Sequence, residues 1–548
     1  MKNILKKLSF LFVLLTLISS VAFAQSTIYV SNTNGNDITG DGSALTPYKT
    51  IAKALSVAAD GDFIRIDADT YNEANVSVTK AVHFVAQTFN ASNTVVITNG
   101  MTINPGAGKT VYLGASADGS QKFNLGSTAN ALILSTGTLN ITGVNVIIAS
   151  GGTITRSAGA ITETPTTTNV NVTYTSTSDV TAGPELPTSL GTGTLTVNIS
   201  SGKTLTVNTN VALSSGQISV TSGNATFNGV VSITSDSPNA NAISNSGSGT
   251  VTFAQAVSGA RASTGTPGTV IENSSTGKIT LAGGVTTSNF TFGLNNSSTG
   301  TIEVGAGTYA GIINNDGGGT INLLASATFS NNTVSNNNAA SVIKLNGYQL
   351  TLSGGGVTLT NAGNIISTTA STVGSGMLNI TGIVTKNGTG ELPNVTIASG
   401  GKLTLNANTS LYGSLTISSS VTGALKFNSN TLTIYGDQFN RTDNTPGNVD
   451  QGTGTLVFAG NLAQTFNPGA SLVLNNLTVN KGASTVVTLT ASIEVAGDLT
   501  ISSGSLDVGN YNLNLTGNPS VFDNSGNAYS TTGVGYVAFV GASGTIQG

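Results

Sequence analysis

Residues 300–321 read GTIEVGAGTYAGIINNDGGGTI, a stretch that begins and ends on the same unit, glycine followed by Thr and Ile. The unit recurs upstream. Gly249-Thr250-Val251, Gly277-Lys278-Ile279, Gly300-Thr301-Ile302 and Gly319-Thr320-Ile321 follow one another at spacings of 28, 23 and 19 residues. A short strand that opens on a tight turn and returns at such intervals is the mark of a chain wound into stacked coils. Variable spacing fits this reading, because a turn can lengthen without disturbing the stack.

The flanking sequence has the same texture. Thr204-Leu205-Thr206-Val207, Lys402-Leu403-Thr404-Leu405, Thr431-Leu432-Thr433-Ile434 and Asn512-Leu513-Asn514-Leu515 alternate polar and apolar residues. Period two with β-branched residues signals strands. It predicts that Leu205, Val207, Leu403, Leu405, Leu432, Ile434, Leu513 and Leu515 point inward while Thr, Asn and Ser face water. Gly, Asn, Ser and Asp fill the gaps as turn residues. Asparagines at those turns are expected to stack into hydrogen-bonded ladders between coils. Longer self-similarity follows: Asn394-Val395-Thr396-Ile397 matches Asn476-Leu477-Thr478-Val479 at offset 82, Leu415 matches Leu499 at 84, and Leu432 matches Leu513 at 81. With about 20 to 30 residues per coil and about 4.8 Å between coils, that offset reads as three or four coils. A string of antiparallel sandwiches is the rival, but such domains bury aromatics, and this chain has no Trp and 5% aromatic residues. The fold class expected is all-β, a right-handed parallel β-helix solenoid with a short N-terminal capping helix.

Composition sets the address. Lys2, Lys6 and Lys7 precede an apolar run from Leu8 to Phe23, and Ala22-Phe23-Ala24 is a small-x-small cleavage site before Gln25. That is a signal-peptide layout, and the run is shorter than the roughly 20 residues of a spanning helix. The domains expected are 1–24 signal peptide, 25–80 N-terminal cap and first coil, and 81–548 β-helix repeat region. No cap is evident after Gly544-Thr545-Ile546, so the repeat region reads as truncated. The mature chain is expected to be secreted or at the outer cell surface, with no membrane span. There are no cysteines, which excludes disulfides, thiolate catalysis and zinc–thiolate sites. Charged residues are 8%, and without the three signal lysines 16 basic residues face 23 acidic ones. No basic cluster stands out, so nucleic acid is not an expected partner.

The N-terminal segment differs from the repeats. Ile28-Tyr29-Val30-Ser31 is followed by Gly35-Asn36-Asp37, Pro47-Tyr48-Lys49-Thr50 and a helical pattern of Ile51, Ala54, Leu55 and Ala58. Then come Gly61-Asp62, the strand Phe63-Ile64-Arg65-Ile66, and Thr70-Tyr71 with Glu73. An open β-helix end exposes core and unpaired backbone, and a short amphipathic helix over it is the expected remedy. Residues 28–73 resemble the opening of bacterial pectin-lyase-like right-handed β-helix proteins, departing at Asp69 where that family usually has Gly. Residues 452–518 resemble strand-repeat surface proteins of Bacteroidota-type bacteria. The first resemblance implies a fold and the second a surface role; neither implies a reaction.

Within the pectin-lyase-like class, lyases need a carboxylate cluster for calcium with a nearby basic residue, and hydrolases need close carboxylate pairs. From residue 81 onward the chain holds 16 carboxylates and 12 Lys or Arg. They are densest at Asp437, Arg441, Asp443 and Asp450, which also read as a solvated loop. Asp37 and Asp41, in a Gly/Asn-rich loop, are the candidate for calcium, with plain turn formation as the alternative. Asp60, Asp62, Asp67 and Asp69 surround Arg65, and Arg65 with Asp67 is expected to form a surface ion pair on an edge strand. His83 is the sole histidine and reads as a strand residue. Sequons such as Asn140 and Asn394 are expected from composition alone. The function expected is a secreted or cell-surface structural, adhesin-like repeat protein with extracellular glycans or cell-surface components as partners, no catalytic residues, and calcium as the one cofactor considered. The alternative is a polysaccharide lyase or glycoside hydrolase.

Overall fold

The structure is a computed structural model; the described residues are 25–86, 94–114, 121–126, 129–234, 241–260, 269–288, 292–330, 333–470, 472–517, 520–525, 529–530, 532–541 and 543–547. The signal-peptide reading, residues 1–24, lies outside them. The chain divides into two compact units, one running to Val172 with Gly183–Pro187, the other holding Thr173–Ala182 and the residues from Thr188 onward.

In the first unit strands pair in parallel with strands one turn of chain later. Thr27–Val30, Phe63–Ile66, His83–Ala86, Thr110–Leu113, Thr138–Asn140 and Ala160–Ile161 form one sheet. A second runs from Thr70–Tyr71 to Thr166–Thr167, and a third contains Val76–Val78, Met101–Ile103, Leu132–Leu134 and Thr153–Arg156. Register stacks like on like: Ile28 pairs Ile64, and Ile64 pairs Phe84. All three are buried, and each such side chain contributes about 1.5–3 kcal/mol of burial. The expected helix forms at Ile51–Val57, with Thr50 as its N-cap and Ala58 as its C-cap. Ile51, Ala54, Leu55 and Ala58 are all buried, and the helix packs on Thr27–Val30, Phe63–Ile66 and Val76–Val78. Glu73 holds its start, accepting the N–H groups of Ile51 at 2.6 Å and Ala52 at 2.8 Å. Lys80 holds its end through the carbonyls of Leu55, Ser56 and Ala58.

The second unit repeats the plan with more coils. The glycine-led units become neighbouring rungs: Thr250 pairs Lys278, Lys278 pairs Thr301, and Thr301 pairs Thr320. The spacings of 28, 23 and 19 residues are therefore single coil lengths. Val251, Ile279, Ile302, Ile321, Ile343 and Ile365 stack in one buried column. The eight residues expected to face inward are all at most 3% exposed. The offset near 82 behaves otherwise. Asn394–Ile397 lies in an eleven-stranded sheet that also holds Leu415–Ile417, while Asn476–Lys481 and Leu499–Ser503 lie in a seven-stranded one. The offset spans eleven strands, three coils and two strands more, so the repeated segments do not stack on each other.

The asparagine ladder is present inside the second unit. Asn245, Asn273, Asn296, Asn315, Asn336 and Asn361 are each 0% exposed. Each Nδ2 donates to the next Oδ1, at 3.3, 3.3, 2.9, 2.9 and 2.9 Å in turn. The first four also donate to the carbonyl four residues on, at Gly249, Gly277, Gly300 and Gly319. The glycines answer this geometry. A Cβ at Gly277, Gly300 or Gly319 would collide with the amide nitrogen of Asn245, Asn273 or Asn296 on the preceding coil.

Candidate functional site

The carboxylates near the N-terminus hold local structure. Asp37 accepts N–H bonds from Lys49 at 2.7 Å and Thr50 at 3.1 Å and the Thr50 hydroxyl at 2.7 Å. Burial pushes its pKa up, but these bonds outweigh that and hold it below the ordinary carboxylate value. Asp41 accepts the Thr46 hydroxyl and the Ser43 N–H, which bring it to about 2. Asp37 thus accepts on both oxygens and Asp41 on Oδ1. Asp62 accepts from Ala59 at 2.7 Å and Ser26 at 2.9 Å, Asp60 pairs with Lys109 at 2.6 Å, and Asp69 accepts the Thr33 hydroxyl at 2.8 Å. Phe63–Ile66 is not an edge strand: it pairs on both sides. Among the described residues Arg65 forms no ion pair with Asp67. The edge-strand reading failed because period two is the same for edge and central strands.

His83 sits in an outward aromatic stack, 4.7 Å from the Phe63 ring and 4.3 Å from the Tyr112 ring. Its partial burial lowers its pKa. The sequon asparagines serve turns. Asn140 accepts the Thr142 N–H at 2.9 Å, and Asn394 donates to Gly374 and Gly376 while accepting from Ser414.

The patch from Asp437 to Asp450 separates into different environments. Asp437 is exposed and accepts the Ser414 hydroxyl. Arg441 points inward, in register with Ile417, and is 2% exposed. Its guanidinium donates to Asn448 Oδ1 at 2.7 Å and to the carbonyls of Thr445 at 2.7 Å, Pro468 at 3.1 Å and Ala470 at 2.6 Å. Burial lowers its pKa. Asp443 closes a turn by accepting the Thr445 N–H at 2.9 Å. Arg441 is therefore the anchor of the loop, not a solvated residue on it.

Asp450 faces a concavity. Its neighbour across the coil is Lys426, which lies beside Thr404. Lys426 Nζ and Asp450 Oδ2 are 3.3 Å apart. With Lys402, Thr422, Gly423, Gly447 and Val449 they line an open groove of about 510 Å³. Gly423 and Gly447 adopt positive φ, 66° and 74°, and the Gly423 N–H donates to the Gly447 carbonyl at 2.7 Å. From sequence, Lys402 reads only as a strand residue, and Lys426 does not stand out. The available signal was Lys426 lying 24 residues, one coil, before Asp450. It is readable only once the coil length is known.

Fold and site together define a parallel β-solenoid whose walls present mostly neutral hydrogen-bonding groups. No protein family model, no curated protein and no solved structure matches this chain. Among the described residues, no group of three or more His, Cys, Asp or Glu is placed to hold a metal ion, and no helix is long and apolar enough to cross a membrane.

Proposed function

We propose that this chain is a secreted or cell-surface structural repeat protein, adhesin-like, that engages extracellular glycans without turning them over. The observation that carries this is a column on the outer wall of the second unit. Thr308, Thr328, Thr351, Asn379, Thr396, Thr416, Asn440 and Asn467 stand in register on successive strands. Hydroxyls and amides repeated at about 4.8 Å suit a ligand that is itself a polymer of hydroxyls, and they supply no acid or base. In the patch from Asp437 to Asp450, Asp443 closes a turn, Asp450 is paired with Lys426 and Arg441 is buried. The exported location follows from the signal-peptide layout of residues 1–24.

The test is a panel of acidic and neutral polysaccharides with added calcium, followed by ultraviolet absorbance for unsaturated products and by new reducing ends. Retention on at least one glycan with no product from any is the expected result. Turnover that disappears in Asp437→Ala or Asp443→Ala would sink the reading and place a catalytic site at that loop.

A further inference from the structure

We infer that the groove bounded by Lys402, Lys426 and Asp450, on a different sheet from the Thr/Asn column, is a second glycan-contacting site and selects acidic saccharides. The inference rests on the glycan-binding reading above and adds a charged site to it. Its first support is charge. The mature chain carries 23 acidic against 16 basic residues, yet the groove holds two ammonium groups and one carboxylate. Lys426 is matched to Asp450 at 3.3 Å, whereas Lys402 has no carboxylate partner among the described residues. An anionic group beside Lys402 meets an unneutralised cation, and charge-assisted hydrogen bonds are the strong ones.

The second support is construction. The groove floor is sheet, where Lys402–Leu405, Leu425–Lys426 and Val449–Asp450 pair in parallel. Its lip is two glycine turns joined by a hydrogen bond, Gly423 to Gly447. The second turn is held from below by buried Arg441, through Thr445 and Asn448. Asn448, itself 0% exposed, also donates to Ser419 at 3.0 Å. A wall fixed by buried polar groups keeps its shape before a ligand arrives, which lowers the ordering cost of binding. Thr404 and Thr422 add hydroxyls, and the Asp450 carboxylate can accept from a sugar hydroxyl. A space of about 510 Å³ lies within the range of small-ligand sites. The ligand that fits is a hydroxyl-rich ring bearing one negative charge, either carboxylate or sulfate.

The experiment uses the mature chain and three immobilised or titrated probes: a carboxylated polysaccharide, a sulfated one and a neutral one of similar length. The carboxylated or sulfated probe should bind, more weakly as salt is raised. Lys402→Ala should reduce its affinity about tenfold and Lys402→Ala/Lys426→Ala further. Thr404→Trp, which fills the groove without touching the lysines' charge, should abolish binding, with unchanged thermal unfolding showing an intact fold. Acidic probes that bind equally well to all three variants would overturn the groove assignment. Binding of the neutral probe alone would overturn the acidic selection and leave the wider glycan reading standing. Binding of no probe at all would overturn both.

Discussion

The most constrained residues are the six buried asparagines and the glycines that face them. Asn315 accepts from Asn296 at 2.9 Å and donates to Asn336 at 2.9 Å, Gly319 at 3.1 Å and Val342 at 3.1 Å. Removing it strands a buried acceptor on Asn336 and empties a closed space. Asn315→Ala should cost about 2–3 kcal/mol. Asn228 makes the same kind of bond, to Asn208 at 2.8 Å, but in solvent. Asn228→Ala should stay within about 0.5 kcal/mol. Urea unfolding with hydrogen exchange read at Ile313–Asn314 and Thr333–Asn336 compares the two; equal costs would mean the ladder is decoration. The ladder has a direction. Asn245 Oδ1, at its first position, is buried without a donor, because the residue beneath it in register is Val220.

Elements here stand by stacking, so a segment that leaves the stack needs its own support. The loop 442–448 is such a segment, and Arg441 is its support. Four acceptors converge on one guanidinium. Arg441→Ala leaves them without that donor in a dry interior, at a cost on the order of 3 kcal/mol or more. Arg441→Lys should rescue little, because one compact ammonium cannot span a planar fork of donors. The sign of failure is local: limited proteolysis should open between residues 442 and 448 in both variants and not in the parent. Cleavage spread evenly along the chain would count against this account. The strand alternation that identified the stack could not identify this anchor, since Gln438-Phe439-Asn440-Arg441 alternates like its neighbours.

At the scale of the whole chain, two more cations are placed where apolar residues usually stand. Lys386 is 0% exposed, in register with Leu359 and Leu405, and donates to the Gly388 carbonyl at 2.6 Å. Lys481 is 2% exposed and donates to the Ala459 carbonyl at 2.8 Å. Burial lowers both to about 8, against roughly 10.4 for an unfolded lysine. Below pH 8 both states carry the proton and the cost of a buried charge is present in full. Between 8 and about 10.4 the unfolded state binds more protons, so stability rises with pH. Above 10 the buried tyrosines Tyr71 and Tyr309, whose pKa values burial raises, act in the opposite sense. Thermal unfolding should therefore shift upward from pH 7 to 9.5, and Lys386→Met/Lys481→Met should remove the shift while raising stability at pH 7. A melting temperature that falls over that range in the parent would refute it.

What the sequence determined by itself was the solenoid: period-two alternation sets which side chains face in, and glycine-led turns set where each coil closes. Both are local, and locality is why Leu205 through Leu515 could be assigned inward and the Ile51 helix placed. Resemblance at residues 28–73 agreed with that fold and named no activity. Coil register was only partly legible. The spacings of 28, 23 and 19 residues were coils, but the offset near 82 linked strands on different walls, because similar strands look alike whichever wall they occupy. The tertiary structure alone decided which charges meet. Lys402, Lys426 and Asp450 converge because three strands lie side by side, while Arg441 and Asp443, only two residues apart, part company into core and surface. Arg441 ends its strand facing inward while Asp443 lies in the turn beyond it, and residues one coil apart are joined by stacking. A site on such a wall is therefore written at coil spacing, which the winding of the chain sets and a local motif does not contain.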